Sequence, residues 1–192
     1  SLTQAAENFS LDRVNKAGAK FDWDKLDWIN SQYLHKMPAS ELVELLVPFW
    51  QDGGFEVNLE GDRLWLESLT TLITPSLKRL ADAPTESCLL LTESVDYSEE
   101  AVAHLQLEGV SEIVKFVLEV LTNAENFTEN EAKEIINQVT KVNKVKKGLV
   151  MRSLRAALMG ELSGPDLIQS WLLLNQKAWD KKRFQQALSV IN

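Results

Sequence analysis

Arg152 and Arg155 stand three residues apart in MRSLRAALMGELSGPDL, residues 151–167, a stretch that reads as helix, glycine turn, helix. On a helix that spacing puts both guanidiniums on one face. Gly160 is expected to end the first helix. Gly164–Pro165 is expected to open the next, with Pro165 at a first-turn position where its missing N–H costs nothing. The free amides just beyond would form a small donor cluster of positive dipole character. Two planar bidentate donors facing a backbone corner can read the Watson–Crick edges of splayed, single-stranded bases. The same spacing also fits a surface arginine pair beside a tight helix–helix turn.

Charge supports the first alternative. Residues 1–140 hold 10 Lys and Arg against 25 Asp and Glu, whereas residues 141–192 hold 10 against 3. The overall net charge of −8 therefore hides a basic C-terminal unit on an acidic carrier. Such asymmetry is the electrostatic footprint of polyanion binding, and a solvated basic helix face on an acidic protein would give it too.

Other chemistry is thinly represented. His35 and His104 are the only histidines and Cys88 the only cysteine, so a zinc site or a Cys–His nucleophile pair has no residues to build it. No GxxxxGK[ST] or GxGxxG phosphate loop is present. The carboxylates read as solvated helix faces. Cys88, inside the run CLLL, reads as a buried, inert thiol and fits a reducing compartment. The six Trp residues, 23, 28, 50, 65, 171 and 179, read as core anchors, with base stacking open to Trp171 and Trp179. No apolar run reaches the roughly 18 residues of a membrane span, and the N-terminus carries no secretory signal. Lacking an initiator Met, the chain reads as a piece of a longer protein.

The elements that must position these residues are helical throughout. Asp22 precedes Trp23, Leu26, Tyr33, Leu34 and Met37 at helical spacing, mostly on one face. After Pro38, Ser40 is the expected N-cap of ELVELLVPFW, which Pro48 should kink or end. GGFEVNLEGD reads as a loop, and Asp62 as the cap of a helix burying Leu64, Trp65, Leu69, Leu72 and Ile73. TESCLLLTESVDY is the expected joint between two cores, meeting near residues 88–98. Further helices are predicted over 98–106, 111–122, 128–140, 150–158, 165–174 and 178–190, with Thr128 and Glu131 in a capping box. The fold class is all-α, two small helical subdomains in tandem.

Two segments carry a family resemblance. SLRAALMGELSGPDL, residues 153–167, resembles the PLRxALTGxxxGPxL box of the C-terminal anticodon-binding region of bacterial-type glutamyl-tRNA synthetases. FSLDRVNKAGAKFDWDKLDWINSQYL, residues 9–34, is similar to the segment that follows that family's second ATP-binding signature, FSLxRVxKxxAxFDxxKLxWxNxxY. Met159 replaces the usual Thr, and Ser153 stands where Pro is common.

The resemblance implies residues 1–38 as the end of a stem-contact region, 39–97 as a first helical anticodon-binding subdomain and 98–192 as a second. It implies a parent glutamate–tRNA ligase, monomeric and cytoplasmic, whose partners are tRNA(Glu) and tRNA(Gln) rather than DNA or membrane. ATP and magnesium belong to a catalytic domain with HIGH-type and KMSKS-type signatures that these residues lack. No cofactor is expected here, and no activity from this piece alone. Arg155 is implied as the main base reader, Arg152 as its assistant, and Gly164, Pro165 and Leu167 as the corner holding the anticodon. Lys144, Lys146 and Lys147 are implied as tRNA backbone contacts. Ser76 aligns where strictly glutamate-specific members carry an arginine reading the third anticodon base, so the ligase is expected to be non-discriminating; Arg79, one helical turn away, is the alternative donor. Without the resemblance, a helical protein–protein adaptor fits the composition equally.

Overall fold

The computed structural model describes residues 2–10, 20–122 and 127–191, and among them the regular elements are all helical. Residues 11–19 of the matched segment 9–34 lie outside the described residues. In order the helices are α1 (Leu2–Glu7), α2 (Trp23–Leu34), α3 (Ala39–Asp52), α4 (Leu59–Ile73), α5 (Ala83–Ser87), α6 (Glu99–Leu105), α7 (Val110–Thr122), α8 (Glu129–Val142), α9 (Lys147–Met159), α10 (Leu167–Gln176) and α11 (Trp179–Ile191). Short 3₁₀ turns at Thr74–Ser76, Leu80–Asp82 and Cys88–Leu90 carry the chain around α5.

Local chemistry sets most boundaries. Asp22 accepts the Lys25 amide to start α2, and Ser98 accepts the Ala101 amide to start α6. Thr128 and Glu131 form the expected reciprocal box at α8. Other caps differ from expectation. Pro38, not Ser40, precedes α3, its carbonyl accepting from Glu41 and Leu42. Pro48 does not end α3, which continues to Asp52; Pro48 is exposed, so the Glu44 carbonyl deprived of its amide faces water. Asn58 caps α4 through the Gly61 amide, and Asp62 marks a kink at φ −117°, ψ 18° where the longer run begins.

α3 packs along α4 and against α5, while α11 lies on α7 and α9, and α6 and α8 also pack on α9. α10 joins the two groups by touching α4, α8 and α11, and the buried apolar side chains run through both groups as one cluster. Trp50 and Trp171 are fully buried, Trp50 donating to Ser87 Oγ at 2.8 Å. Trp171 donates to Asp180 Oδ2 at 3.1 Å, and Asn175 donates to the same oxygen at 2.8 Å. Trp23 and Trp28 are not core anchors: they are 67% and 61% exposed, and Leu26 and Tyr33 are exposed beside them. Leu64 is 80% exposed, so the buried apolar residues of α4 are Trp65, Leu66, Leu69 and Ile73, with Leu72 half-buried. Cys88 is half-buried, its thiol directed to the Thr85 carbonyl.

The joint over residues 92–98 is fastened by α11 and the end of α9. Arg183, fully buried, donates to the carbonyls of Thr92, Glu93 and Leu158, and burial pulls its pKa down to about 10. Gln186 pairs with both the amide and the carbonyl of Val95. The Tyr97 hydroxyl donates toward Ala157 O at 3.3 Å, and burial pushes its pKa up to about 12.

Candidate nucleic-acid interface

The corner between α9 and α10 is built around one guanidinium. Arg155 is half-buried on α9, and its Nη1 donates to the Pro165 carbonyl at 2.8 Å. Burial lowers its pKa from the ordinary arginine value, and the Asp166 carboxylate works in the opposite direction. Gly160 ends α9 in the left-handed conformation at φ 69°, its amide still bonded to Ala156 O. A side chain there would overlap the Asp96 carbonyl, so the turn packs directly on the backbone of the 92–98 joint, where the Ser98 amide and hydroxyl both donate to the Gly160 carbonyl. Gly164 sits at φ 139° with Arg155 Nη1 against the place a Cβ would occupy.

Two expectations about this corner are corrected. Pro165 lies just outside α10, and Asp166 is the N-cap, accepting the Gln169 amide at 2.9 Å. Asp166 thereby takes one amide of the first turn, that of Gln169, out of the expected donor cluster. Leu167 is 2% exposed and supports the corner from inside the core. Arg152 is exposed one turn before Arg155, on the side of His104, whose pKa is lowered by burial and then by the Arg152 charge. Lys144, at φ 53°, with Lys146 and Lys147, forms an exposed basic bend between α8 and α9.

Ser76 comes to the same place from the other half of the chain. A groove of about 470 Å³ runs between α4 and α10. Ser68, Thr71 and Leu72 form one wall and Gln169, Leu172 and Leu173 the other. The Pro75–Ser76 turn faces the Pro165–Asp166 corner across one end of it. The wall spacing is fixed at the far end by Trp65, whose indole donates to the Leu173 carbonyl at 2.9 Å. Lys177 lies over the Trp65 ring, 5.2 Å from its centre, and pairs with Asp62.

Arg79 is not among the groove's lining residues. Its Nε donates to Asp27 Oδ1 at 2.7 Å and its Nη2 to Oδ2 at 2.5 Å, a bidentate pair that holds the Asp27 carboxyl below the usual range. Asn30 donates to Lys78 O at 2.5 Å, so α2 grips this segment twice. Neither pair had a sequence signal, since each joins positions about fifty residues apart that meet only once α2 docks. Gln169 was likewise silent, an ordinary polar residue in a leucine-rich helix until α4 came to face it. Among the described residues no group of acidic, His and Cys side chains is placed to hold a metal ion, and no helix is long and apolar enough to cross a membrane.

Residues 41–188 match the family described as "Anticodon binding domain". The chain is 62% identical over 191 residues to the glutamate–tRNA ligase of Crocosphaera subtropica, covering 100% of this chain and 40% of that protein. It is 61% identical over 189 residues to the glutamate–tRNA ligase of Microcystis aeruginosa, covering 98% of this chain and 39% of the relative. The chain thus spans about 40% of the length of these curated relatives. Among solved structures, a glutamate tRNA ligase from Elizabethkingia meningosepticum superposes with a TM-score of 0.86 at 22% identity, over 100% of this chain and 37% of that one. That likeness speaks for the helical fold, and the sequence matches go further: the chain belongs to the anticodon binding domain family.

Proposed function

We propose that this chain is the anticodon-reading part of a glutamate–tRNA ligase, the enzyme that joins glutamate to tRNA with ATP in a catalytic domain elsewhere in the full-length protein. The observation that carries this is the corner where Arg155 holds the Pro165 carbonyl beside a groove that also contains Ser76. Residues 39–97 and 98–192 are the two halves of the reader, and residues 1–38 are the end of the stem-contact region. A guanidinium braced on a backbone carbonyl keeps its remaining N–H groups oriented for a base edge, at a smaller ordering cost than a free arginine would incur. Arg152, exposed one turn away, assists, and Lys144, Lys146 and Lys147 take phosphates.

The groove also supports a relaxed third-position choice. The third anticodon base is C for glutamate and G for glutamine. A long guanidinium at position 76 would fill the groove and crowd the purine, whereas the Ser76 hydroxyl leaves it open. The parent then charges both tRNA(Glu) and tRNA(Gln) with glutamate. Arg79 does not substitute, because Asp27 occupies it. The test is glutamylation of purified tRNA(Gln) by the full-length ligase, native and with Ser76→Arg. Native charging that the substitution abolishes is the expected result. A native enzyme that rejects tRNA(Gln), or a substitution without effect, removes Ser76 as the discriminator.

A further inference from the structure

We infer that Gln169 is a second specificity-determining residue of the groove, an amide that accepts cytosine and guanine alike at the third anticodon position. The inference rests on the assignment of that base to the groove beside Ser76. Among the described residues that line the groove, none is Lys or Arg, and the one charged side chain, Asp166, is engaged in capping the Gln169 amide. A phosphate would find no counter-charge there. A flat, neutral ring would find apolar walls from Leu72, Leu172 and Leu173, with proline at both lips. The groove is therefore built for a base, while the cations stand outside it.

Within it, Gln169 is placed at the end shared by Ser76 and Pro165, in the first turn of α10. Its Nε2 donates to Glu129 Oε2 at 3.3 Å, and Glu129 is itself paired with Lys133. That contact uses one N–H. The amide oxygen and the second N–H remain for a ligand, so one side chain offers an acceptor and a donor together. Cytosine presents two acceptors and one amino donor on its Watson–Crick edge, and guanine presents two donors and one acceptor. An amide satisfies part of either edge. A guanidinium or ammonium only donates and fits the cytosine edge better, while a carboxylate only accepts and fits the guanine edge better. Loss of the arginine at position 76 opens the groove by size, and Gln169 makes it neutral in hydrogen-bond sign.

Substitutions of opposite character give opposite predictions. The present chain is titrated with an anticodon stem-loop RNA whose anticodon ends in C, and with the same RNA ending in G. The native ratio of dissociation constants is near one. Gln169→Lys shifts it about fivefold toward C and Gln169→Glu about fivefold toward G, the worth of one hydrogen bond gained or left unpaired. The ratio cancels the general effect of added charge on RNA affinity. Gln169→Met weakens both RNAs and leaves the ratio alone. Because position 169 is exposed, all variants are expected to stay folded by circular dichroism, with Gln169→Glu melting slightly lower from its repulsion with Glu129 and Gln169→Lys slightly higher. Ratios that stay fixed, or that move in the same direction for Lys and Glu, overturn the role of Gln169. If Ser76→Arg alone moves the ratio toward C, the third-base assignment stands without Gln169. A native chain that binds neither RNA overturns both readings together.

Discussion

Arg155 contributes to the interface and to the turn that presents it, and its removal should be felt in both. With Arg155→Ala the Pro165 carbonyl loses its partner and the base loses its reader, so RNA affinity should fall by about 1–3 kcal/mol, the scale of a bidentate base contact. Arg155→Lys, which can still reach the carbonyl but has no planar fork, should recover stability and little of the affinity. Titration of the stem-loop RNA alongside urea unfolding separates the two effects; an affinity unchanged in Arg155→Ala refutes the assignment. His104 gives a pH signature at the same scale. Its Nε2 stands 3.2 Å from Ser153 Oγ, which donates to Leu149 O and so accepts from a neutral imidazole. Burial and Arg152 lower its pKa, so the unfolded chain takes up the proton first as pH falls. Stability should drop as pH passes from about 7 to about 5, more steeply in the native chain than in His104→Gln. Parallel melting curves for the two proteins would exclude His104 as the source.

At the scale of elements, the α4–α10 contact decides whether the groove exists. Lys177 donates its amide to Leu174 O, leaving Leu173 O, one of the last carbonyls of α10, to the Trp65 indole. Trp65→Phe keeps most of the packing and strands that carbonyl. The expected loss is about 1–3 kcal/mol in denaturant unfolding, with RNA affinity falling as the groove walls loosen. Caps and periodicity made the helices legible in the sequence, because a Ser98 or a Thr128–Glu131 box acts within its own few residues. The end of α9 at Gly160 was legible for the same reason, while the start of α10 falls two residues beyond the expected Pro165. What sequence could not show was which face of α2 meets protein. Of the expected stripe Leu34 is buried and Met37 packs on the core, whereas Trp23, Leu26 and Tyr33 lie exposed while Asp27 and Asn30 make polar contacts, because the partner of each face is a tertiary matter. The groove escaped notice because its walls are about a hundred residues apart.

For the whole molecule the segregation of charge sets how RNA arrives. The basic bend at Lys144, Lys146 and Lys147 belongs to the basic C-terminal unit of a chain of net charge −8, so a polyanion is drawn to that unit and repelled by the acidic residues 1–140. Affinity for the stem-loop RNA should fall linearly in log–log plots against salt, because phosphate contacts release counterions. Replacing each of the three lysines by Ala should reduce the slope by about one while leaving the C-to-G ratio unchanged. A slope indifferent to all three substitutions would place the phosphate track elsewhere. The five exposed aromatic and aliphatic side chains of α2, Trp23, Leu26, Trp28, Ile29 and Tyr33, stand open to solvent, so acrylamide should quench a share of the tryptophan emission that Trp23→Phe and Trp28→Phe together remove.

The fastening of the 92–98 joint has a consequence for how the chain is made. The carbonyls of Thr92 and Val95 are satisfied by Arg183 and Gln186, each 91 residues further along the chain. During vectorial synthesis every helix of the first half can be out of the ribosome, and α9 with its Arg155 can follow, before the side chains that lock the joint exist. Until then the nascent chain has its reading corner and its groove wall on an unsecured hinge. A message that stops just before the codon for Arg183 therefore yields a protein with all of the proposed base-reading residues and the joint between its two helix groups unfastened.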